Sequence, residues 1–205
     1  MKKIKVLIAD DHLIVRMGLK AVLAFDSEIE VLAEVEDGAQ AVEQALKLQP
    51  DVIIMDLQMP VLDGIEATEK INAGLPTSKV LILTTFEDPE DIHRAFVAGA
   101  SGAVLKNGSR SELIEAIHAV HGGRRFITAE LDRQLPETPP PPLTDRQKEI
   151  LVSVTRGLTN KDIARMLNIS PSGVKAHLSA IFEKIGAADR AEAVAIALRR
   201  HLLKK

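Results

Sequence analysis

Five side chains of complementary chemistry each follow a short apolar run in the first half of the chain. They are Asp10, Asp11, Asp56, Thr84 and Lys106. If the runs are parallel strands, their carboxyl ends meet at one edge of the sheet, where open α/β sheets bind ligands. Taken singly, an acid at such a place often only caps the next helix, and a lysine is often only solvated. The coincidence of all five favours one functional site.

Three neighbouring carboxylates repel one another unless a cation joins them. Oxygen ligands of this kind suit Mg²⁺, which is held by a few carboxylates, waters and phosphoryl oxygens. A carboxylate can also attack phosphorus and form an aspartyl phosphate. The divalent cation and the lysine ammonium would then neutralise charge on the transferring group, while a hydroxyl such as that of Thr84 bonds a phosphoryl oxygen. The five residues therefore predict phosphoryl transfer onto an aspartate.

The elements that position this site follow from the hydrophobic pattern. Several β-branched runs show no polar alternation, as expected for strands buried on both faces, and they alternate with amphipathic helical stretches. The predicted strands are Ile4–Ala9, Val31–Val35, Val52–Met55, Val80–Thr85 and Ala103–Leu105, and the predicted helices lie near Leu13–Phe25, Ala39–Leu48, Ile65–Ile71, Glu90–Val97 and Arg110–Val120. Five such repeats predict an α/β doubly wound, five-stranded parallel sheet with helices on both faces.

Composition excludes several classes of protein. The 205 residues include no Cys, Trp or Tyr, so disulfides and thiolate metal sites are excluded and a base-stacking platform for single strands is disfavoured. The six His residues show no metal-binding spacing and are expected at the surface or at helix ends. No apolar run reaches the roughly 18 residues of a membrane span. We therefore expect a cytoplasmic protein with no membrane partner.

Charge divides the chain into two halves. Residues 143–205 carry 12 Lys and Arg against 6 Asp and Glu, whereas residues 1–142 carry 14 against 23. The net charges of +6 and −9 indicate two tasks, the basic one at a polyanion. Four prolines at residues 139–142 favour an extended spacer, although a ligand for an SH3-type domain is the alternative. We predict a domain over 1–125, a Pro-rich linker over 126–142 and a second domain over 143–205.

The basic half shows helical patterns only. One helix is predicted to begin near Pro171 and to bury a stripe formed by Val174, Leu178, Ile181 and Ile185. Its opposite side presents small polar and basic residues. Two helices joined by a tight turn, the second exposing such residues near its start, suit insertion into the major groove of DNA. On periodicity alone, an ordinary helical bundle with a solvated basic face is the alternative.

The motifs of the first half are similar to those of receiver domains in two-component response regulators. The matching segments are IADD at residues 8–11, DLQMP at 56–60 followed by DG at 63–64, LTT at 83–85, and GASG at 99–102 before LK at 105–106. The resemblance covers residues 1 to about 125 and implies a flavodoxin-like sheet of strand order 2-1-3-4-5. It assigns Asp56 as the phosphoacceptor, Thr84 as the switch hydroxyl and Lys106 as the phosphate-binding ammonium. The implied Mg²⁺ ligands are Asp10, Asp11, Asp56 and the main-chain oxygen of Gln58.

Two further positions in this half bear on the site. Pro60 is expected to fix φ, and Gly64 to supply a turn conformation that a Cβ would strain. Receivers usually carry Tyr or Phe three residues before the Lys, where the ring packs inward as the Thr moves, but this chain has Ala103. Thr85 and Phe86, next to the switch hydroxyl, are the candidates to compensate.

The basic half is similar to the LuxR/FixJ-type, NarL-like helix-turn-helix domain. The match comprises LT-x-R at residues 143–146, GLTNKDIA at 157–164, L-x-IS at 167–170, VK-x-H at 174–177, and Arg190 before AV at 193–194. The DNA-binding residues implied by this resemblance are Lys161, Ser172, Lys175, Ala176, His177 and Ser179. Gly173 stands where Thr is usual, which removes a phosphate contact. Gln147 stands where Glu is usual, which weakens an expected interaction at the start of its helix.

Together the resemblances imply a response regulator in which a sensor histidine kinase phosphorylates Asp56 and so controls sequence-specific binding to double-stranded promoter DNA and transcription. They imply no enzymatic activity beyond Mg²⁺-dependent self-phosphorylation and autodephosphorylation, and a homodimer in the phosphorylated state. In this family, phosphorylation either promotes dimerisation or releases a masked recognition helix, and the sequence leaves both open.

Two other functions are alternatives. A phosphohydrolase that uses Asp56 as a turnover nucleophile would resemble haloacid dehalogenases, which place a second Asp two residues further on; Gln58 stands there instead. A receiver-controlled interaction protein that does not bind DNA is the other alternative, suggested by Gly173 and Ala103. Salt-sensitive binding to promoter DNA would dismiss it.

Overall fold

The chain folds into two compact units, residues 1–137 and 138–205, in a computed structural model. The structure describes residues 3–85, 89–135, 143–199 and 202. Phe86 and the proline run at residues 139–142 lie outside this described part, so the predictions for them stay predictions. No helix among the described residues is long and apolar enough to cross a membrane.

The first unit is a parallel α/β sheet with helices on both faces. In chain order its elements are β1 (Ile4–Ala9), α1 (Leu13–Leu23), β2 (Ile29–Val35), α2 (Gly38–Leu48), β3 (Val52–Asp56), α3 (Gly64–Gly74), β4 (Lys79–Thr84), α4 (Pro89–Val97), β5 (Gly102–Leu105), α5 (Arg110–His121), β6 (Phe126–Ile127) and α6 (Ala129–Gln134). The strand order is β2-β1-β3-β4-β5-β6, and all pairs are parallel. The predicted order 2-1-3-4-5 is therefore confirmed, with β6 added at the edge beside β5.

Two hydrophobic cores lie on opposite faces of this sheet. Successive residues of a strand point to opposite faces, so Ile53 and Met55 pack into one core while Val52 and Ile54 pack into the other. Helices α2, α3, α4 and α6 cover the first face, and α1 and α5 cover the second. Because the central strands are buried on both faces, their sequences contain no polar alternation.

The first unit extends beyond the predicted boundary at residue 125. Phe126 and Ile127 pair with Gly102 and Ala103 to form the edge strand β6. Helix α6 follows, and its Leu131 is fully buried in the core of the α2–α3–α4 face. The prediction of a linker starting at residue 126 is thereby corrected, because this segment finds backbone partners and buries apolar surface.

The second unit is all-helical, with α7 (Asp145–Thr155), α8 (Asn160–Leu167), α9 (Pro171–Ile185) and α10 (Arg190–Arg199). The predicted stripe of α9 is confirmed, because all four of its residues are buried in the hydrophobic core that the described residues of this unit form. Helices α8 and α9 are joined by a turn at Asn168, which has the left-handed φ of 51°. Ser170 caps α9 by accepting a hydrogen bond from the Gly173 amide at 3.0 Å.

Gln147 makes the expected interaction at the start of α7. This interaction was expected to be weakened, because Gln147 stands where Glu is usual. Its Oε1 accepts from the Thr144 amide at 3.0 Å, while the Thr144 hydroxyl accepts from the Gln147 amide at 3.3 Å. This reciprocal pair is a capping box. The same Oε1 also accepts from Lys184 Nζ at 3.0 Å, so the neutral amide links α7 to α9.

Candidate functional site

The carboxyl ends of β1, β3, β4 and β5 bring the five predicted residues to one rim of the sheet. Asp56 is the last residue of β3 and lies opposite Leu83 of β4, so Thr84 is one position further along the rim. Thr84 in turn lies opposite Leu105, directly before Lys106. The Lys106 amide donates to the Thr84 carbonyl at 2.7 Å, which fixes where the lysine leaves the sheet.

Lys106 joins two of the acids. Its Nζ lies 2.8 Å from Asp10 Oδ2 and 2.9 Å from Asp56 Oδ2. Asp10 is fully buried and Asp56 is 5% exposed, whereas the lysine side chain is partly accessible. One ammonium thus compensates two desolvated carboxylates at the bottom of the pocket.

The electrostatics of the pocket favour a further cation. Burial raises the pKa of Asp56 to about 6; the contact with Lys106 opposes this rise, and the charges of Asp10 and Asp11 add to it. Burial alone would lower the pKa of Lys106, but its contacts with Asp10 and Asp56 outweigh burial and raise it. The lysine therefore stays charged, but its single positive charge does not compensate the charges of all three carboxylates.

The oxygen atoms in the pocket fit a divalent cation. Asp10, Asp11, His12 and Asp56 each place one ligand atom within 4.8 Å of the others. Within the described part of the chain, Asp10 Oδ2 forms the ion pair with Lys106 but accepts no hydrogen bond of regular geometry. A buried acceptor with spare capacity beside two more carboxylates is suited to a hard cation such as Mg²⁺. Gln58 lies at the exposed tip of the loop after β3, and its main-chain oxygen as a ligand stays a prediction.

The loop after β3 is held by close backbone packing. The Gly64 amide donates to the Leu57 carbonyl at 3.0 Å, and a Cβ at Gly64 would lie 2.0 Å from the Asp56 carbonyl oxygen. This close approach is the reason that residue 64 must be glycine. The expectation that Gly64 adopts a special turn conformation is corrected, because the residue with left-handed φ in this loop is Val61, at 66°. Asp63 caps α3 by accepting from the Glu66 amide at 2.8 Å. The loop thus fixes the backbone of the predicted phosphoacceptor.

Two residues at the pocket were missed from the sequence as contributors. His12 Nδ1 lies 2.6 Å from Asp11 Oδ1, and Arg16 Nη1 donates to the Asp10 carbonyl at 2.6 Å. Neither belongs to a spacing motif. A signal for Arg16 did exist, because a cation in the first turn of a helix opposes the helix dipole and calls for a nearby acceptor.

Ala103, at the position where receivers usually carry an aromatic residue, is fully buried. It lies in the same core as Ile92 of α4 and Leu131 of α6. Its carbonyl accepts from the Thr128 amide at 3.2 Å, which ties β5 to the start of α6. The small side chain at this position is thus packed within the core rather than left beside a void open to solvent.

The predicted DNA-binding residues lie on α8 and on the outer side of α9. Those with exposed side chains are Lys161, Ser172, Lys175, Ala176 and Ser179. His177 is half-buried. Two hydroxyls are engaged locally: Ser172 Oγ lies 2.9 Å from Ser170 Oγ, and Ser179 Oγ donates to the Lys175 carbonyl at 3.2 Å. The helix therefore offers a surface of small side chains with one exposed lysine, as close approach to a DNA groove requires.

The two units match two protein-family models. Residues 6–118 match the response regulator receiver domain, and residues 141–197 match the bacterial regulatory proteins of the luxR family. Among curated proteins, the chain is similar to the transcriptional regulatory proteins LnrK and LiaR of Bacillus subtilis, each 38% identical. The alignments cover 96% of this chain and 97% of LnrK, and 98% of this chain and 99% of LiaR.

The chain is also similar to solved structures of response regulators. The chain is 37% identical to the response regulator ChrA of a heme-sensing two-component system, over 98% of this chain and 100% of ChrA, with a TM-score of 0.58. It is 26% identical to RcsB from Salmonella enterica serovar Typhimurium bound to promoter P1flhDC with the phosphomimetic BeF3⁻. That match covers 95% of this chain and 98% of RcsB, with a TM-score of 0.80.

Proposed function

Because the chain belongs to the response regulators that join a receiver domain to a LuxR-family DNA-binding domain, we propose that phosphorylation of Asp56 controls its binding to promoter DNA. The observation that carries this proposal is the pair of contacts from Lys106 to Asp10 and Asp56. An ammonium between a buried acceptor carboxylate and a second buried acid is arranged for a transferring phosphoryl group.

In the proposed reaction, a carboxylate oxygen of Asp56 attacks the phosphorus of a phosphohistidine on a sensor histidine kinase. The P–O bond forms as the P–N bond breaks, and the leaving imidazole keeps the electron pair and takes a proton from solvent water. Lys106 holds a phosphoryl oxygen, and the Thr84 hydroxyl is placed one position along the rim to donate to another. The residues that would hold Mg²⁺ are Asp10, Asp11, Asp56 and Gln58, the last through its main-chain oxygen, and the cation would supply charge neutralisation at the phosphoryl oxygens.

The consequence of phosphorylation is proposed for the second unit. The phosphorylated chain forms a homodimer that places α9 of each protomer in the major groove of double-stranded DNA. A solved structure of two RcsB dimers bound to two parallel DNAs supports a DNA-bound dimer by similarity, at 26% identity and a TM-score of 0.77. The chain acts in the cytoplasm and catalyses only its own phosphorylation and dephosphorylation.

Labelling by a small phosphodonor tests the acceptor. Incubated with acetyl phosphate and Mg²⁺, the wild type is expected to gain one phosphoryl group by intact mass, and none in EDTA. Asp56→Asn should abolish labelling. Asp51→Asn is the matched control, because Asp51 stands just before β3 at the opposite end, where its carboxylate accepts from the Lys5 amide at 2.8 Å. Equal labelling of Asp56→Asn and the wild type would refute the proposal.

Salt dependence tests the DNA surface. On a fragment selected by the phosphorylated wild type from a random double-stranded library, Lys175→Ala should weaken binding and reduce the slope of log K against log salt by about 1. Lys148→Ala is the control, because Lys148 is exposed on α7 and lies 3.9 Å from Asp145. If both variants keep the wild-type slope, Lys175 does not contact phosphate.

A further inference from the structure

Arg16 occupies an unusual place for a cation. It lies in the first turn of α1, where the exposed amide groups carry partial positive charge and no acidic residue is present. The next basic residue of the helix, Lys20, lies in its last turn, where the dipole favours a cation. Lys20 pairs with Glu34 at 2.7 Å on the surface. The helix dipole therefore makes the position of Arg16 mildly unfavourable, and a nearby acceptor would offset this cost.

That acceptor is the main chain of the acidic pocket. Arg16 Nη1 donates to the Asp10 carbonyl oxygen at 2.6 Å, just beyond the end of β1. Asp10 is completely buried, and its own amide still pairs with the Val35 carbonyl of β2 at 3.2 Å. Since a buried carbonyl without a partner is costly, the guanidinium stabilises one orientation of the peptide that joins Asp10 to Asp11.

A second contact holds the same turn from inside. The Asp10 carboxylate accepts from the His12 amide at 2.8 Å through Oδ1, which leaves Oδ2 directed to Lys106. Two side chains therefore fix the turn at residues 10–12: Asp10 from within the turn and Arg16 from α1. Rotation of the Asp10–Asp11 peptide would break the contact with Arg16 and shift the Asp11 carboxylate relative to that of Asp10.

We propose that Arg16 is a positioning residue of the acidic pocket, which fixes the Asp10 and Asp11 carboxylates for a divalent cation through the Asp10 carbonyl. The inference rests on the proposed function and adds a residue to that site. The contact of Arg16 is with the Asp10 carbonyl, whereas the contact of Asp56 is with Lys106. The guanidinium therefore works through the backbone of the turn rather than as a partner of the acceptor.

Cation affinity of the full-length protein tests the proposal. Arg16→Met removes the guanidinium and keeps an aliphatic stem, Arg16→Lys keeps one charged donor, and Lys20→Met is the matched control one turn further along α1. The dissociation constant for Mg²⁺ is measured by calorimetry. Exchange of the His12 amide is measured by NMR, and labelling by acetyl phosphate is measured across Mg²⁺ concentrations. The melting temperature in EDTA verifies that each variant is folded.

Arg16→Met is expected to raise the dissociation constant for Mg²⁺ by about tenfold, as loss of a residue that orients metal ligands typically does. Its His12 amide should exchange faster, while labelling at saturating Mg²⁺ stays near that of the wild type. Arg16→Lys should restore part of the affinity, and Lys20→Met should match the wild type.

Two results would overturn the role of Arg16. One is an unchanged dissociation constant and unchanged His12 exchange in Arg16→Met. The other is a lower saturating rate of labelling with unchanged Mg²⁺ affinity, which would place Arg16 in the transfer step instead. If the wild type is not labelled at all, the proposed function fails, whereas cation affinity and amide exchange still decide the role of Arg16.

Discussion

At the scale of single residues, folding places the Asp56 carboxylate in an electrostatically unfavourable environment. Asp56 is 5% exposed, and its pKa is raised to about 6 because burial outweighs the attraction of Lys106. The ionised carboxylate is therefore less stable in the folded chain than in the unfolded one. Such a group favours the binding of a divalent cation, which offsets the excess negative charge, and the additional charge of an aspartyl phosphate would increase that need.

This electrostatic cost predicts how Asp56→Asn changes stability. Folding favours the protonated acid, so the cost is absent below pH 4 and complete above pH 6. In EDTA at pH 7.5, Asp56→Asn should raise the free energy of unfolding by about 1–3 kcal/mol, since one pKa unit corresponds to about 1.4 kcal/mol. The gain should fall towards zero at pH 4. Urea unfolding at several pH values measures it, and an equal gain at pH 4 and pH 7.5 would contradict this account.

At the scale of elements, the connection from β3 to α3 shows how tightly the acceptor is built in. Helix α3 begins at Gly64, directly against the backbone of Asp56 and Leu57. Helix α1, on the other face of the sheet, carries a glycine without such close contacts: at Gly18 an added Cβ would meet no atom within 4 Å. Substitution at Gly64 therefore tests close packing, whereas substitution at Gly18 tests helix propensity.

Substitution of each glycine by alanine should change stability in opposite directions. Gly64→Ala is expected to lower the free energy of unfolding by about 2 kcal/mol or more, because the loop must move to admit the Cβ, and to reduce phosphoryl labelling with it. Gly18→Ala should raise the free energy of unfolding by roughly 0.5–1 kcal/mol, because alanine stabilises a helix interior. Chemical denaturation of both variants measures the pair. A neutral Gly64→Ala would show that the close approach to Asp56 does not require glycine, and a destabilising Gly18→Ala would contradict the open surroundings of Gly18.

At the scale of the whole molecule, the first unit is larger than its motifs indicate. Strand β6 covers the edge of β5, and α6 contributes Leu131 to the core that also contains Ala103. Because an edge strand presents unpaired backbone groups, an edge strand of only two residues limits pairing with other chains on this side of the sheet. The segment after α5 therefore belongs to the receiver fold.

Two truncations test this boundary. A chain of residues 1–137 should unfold cooperatively, whereas residues 1–125 should lose at least the roughly 2–5 kcal/mol associated with removing a buried leucine. Leu131→Ala within 1–137 isolates the contribution of that one side chain. Thermal and urea unfolding compare the three. If residues 1–125 are as stable as 1–137, the edge strand and α6 contribute nothing to the fold.

The sequence alone determined the parallel α/β sheet, the helical second half and the five residues at the rim. These follow from short-range patterns. Buried parallel strands lack polar alternation, and polar groups at their carboxyl ends meet at one edge once the parallel sheet forms. The stripe of α9 followed from helical periodicity in the same way. Each of these signals lies within one element or at its end.

Only the tertiary structure decided the features that depend on contacts between distant elements. The strand β6 consists of two residues and carries no periodic signal, so its pairing with β5 is visible only once the sheet exists. The need for glycine at residue 64 arises from the Asp56 carbonyl of another element. The bond from Arg16 to the Asp10 carbonyl depends on how α1 packs against β1. Side-chain chemistry is encoded locally, whereas close approach is set by the packing of the whole domain.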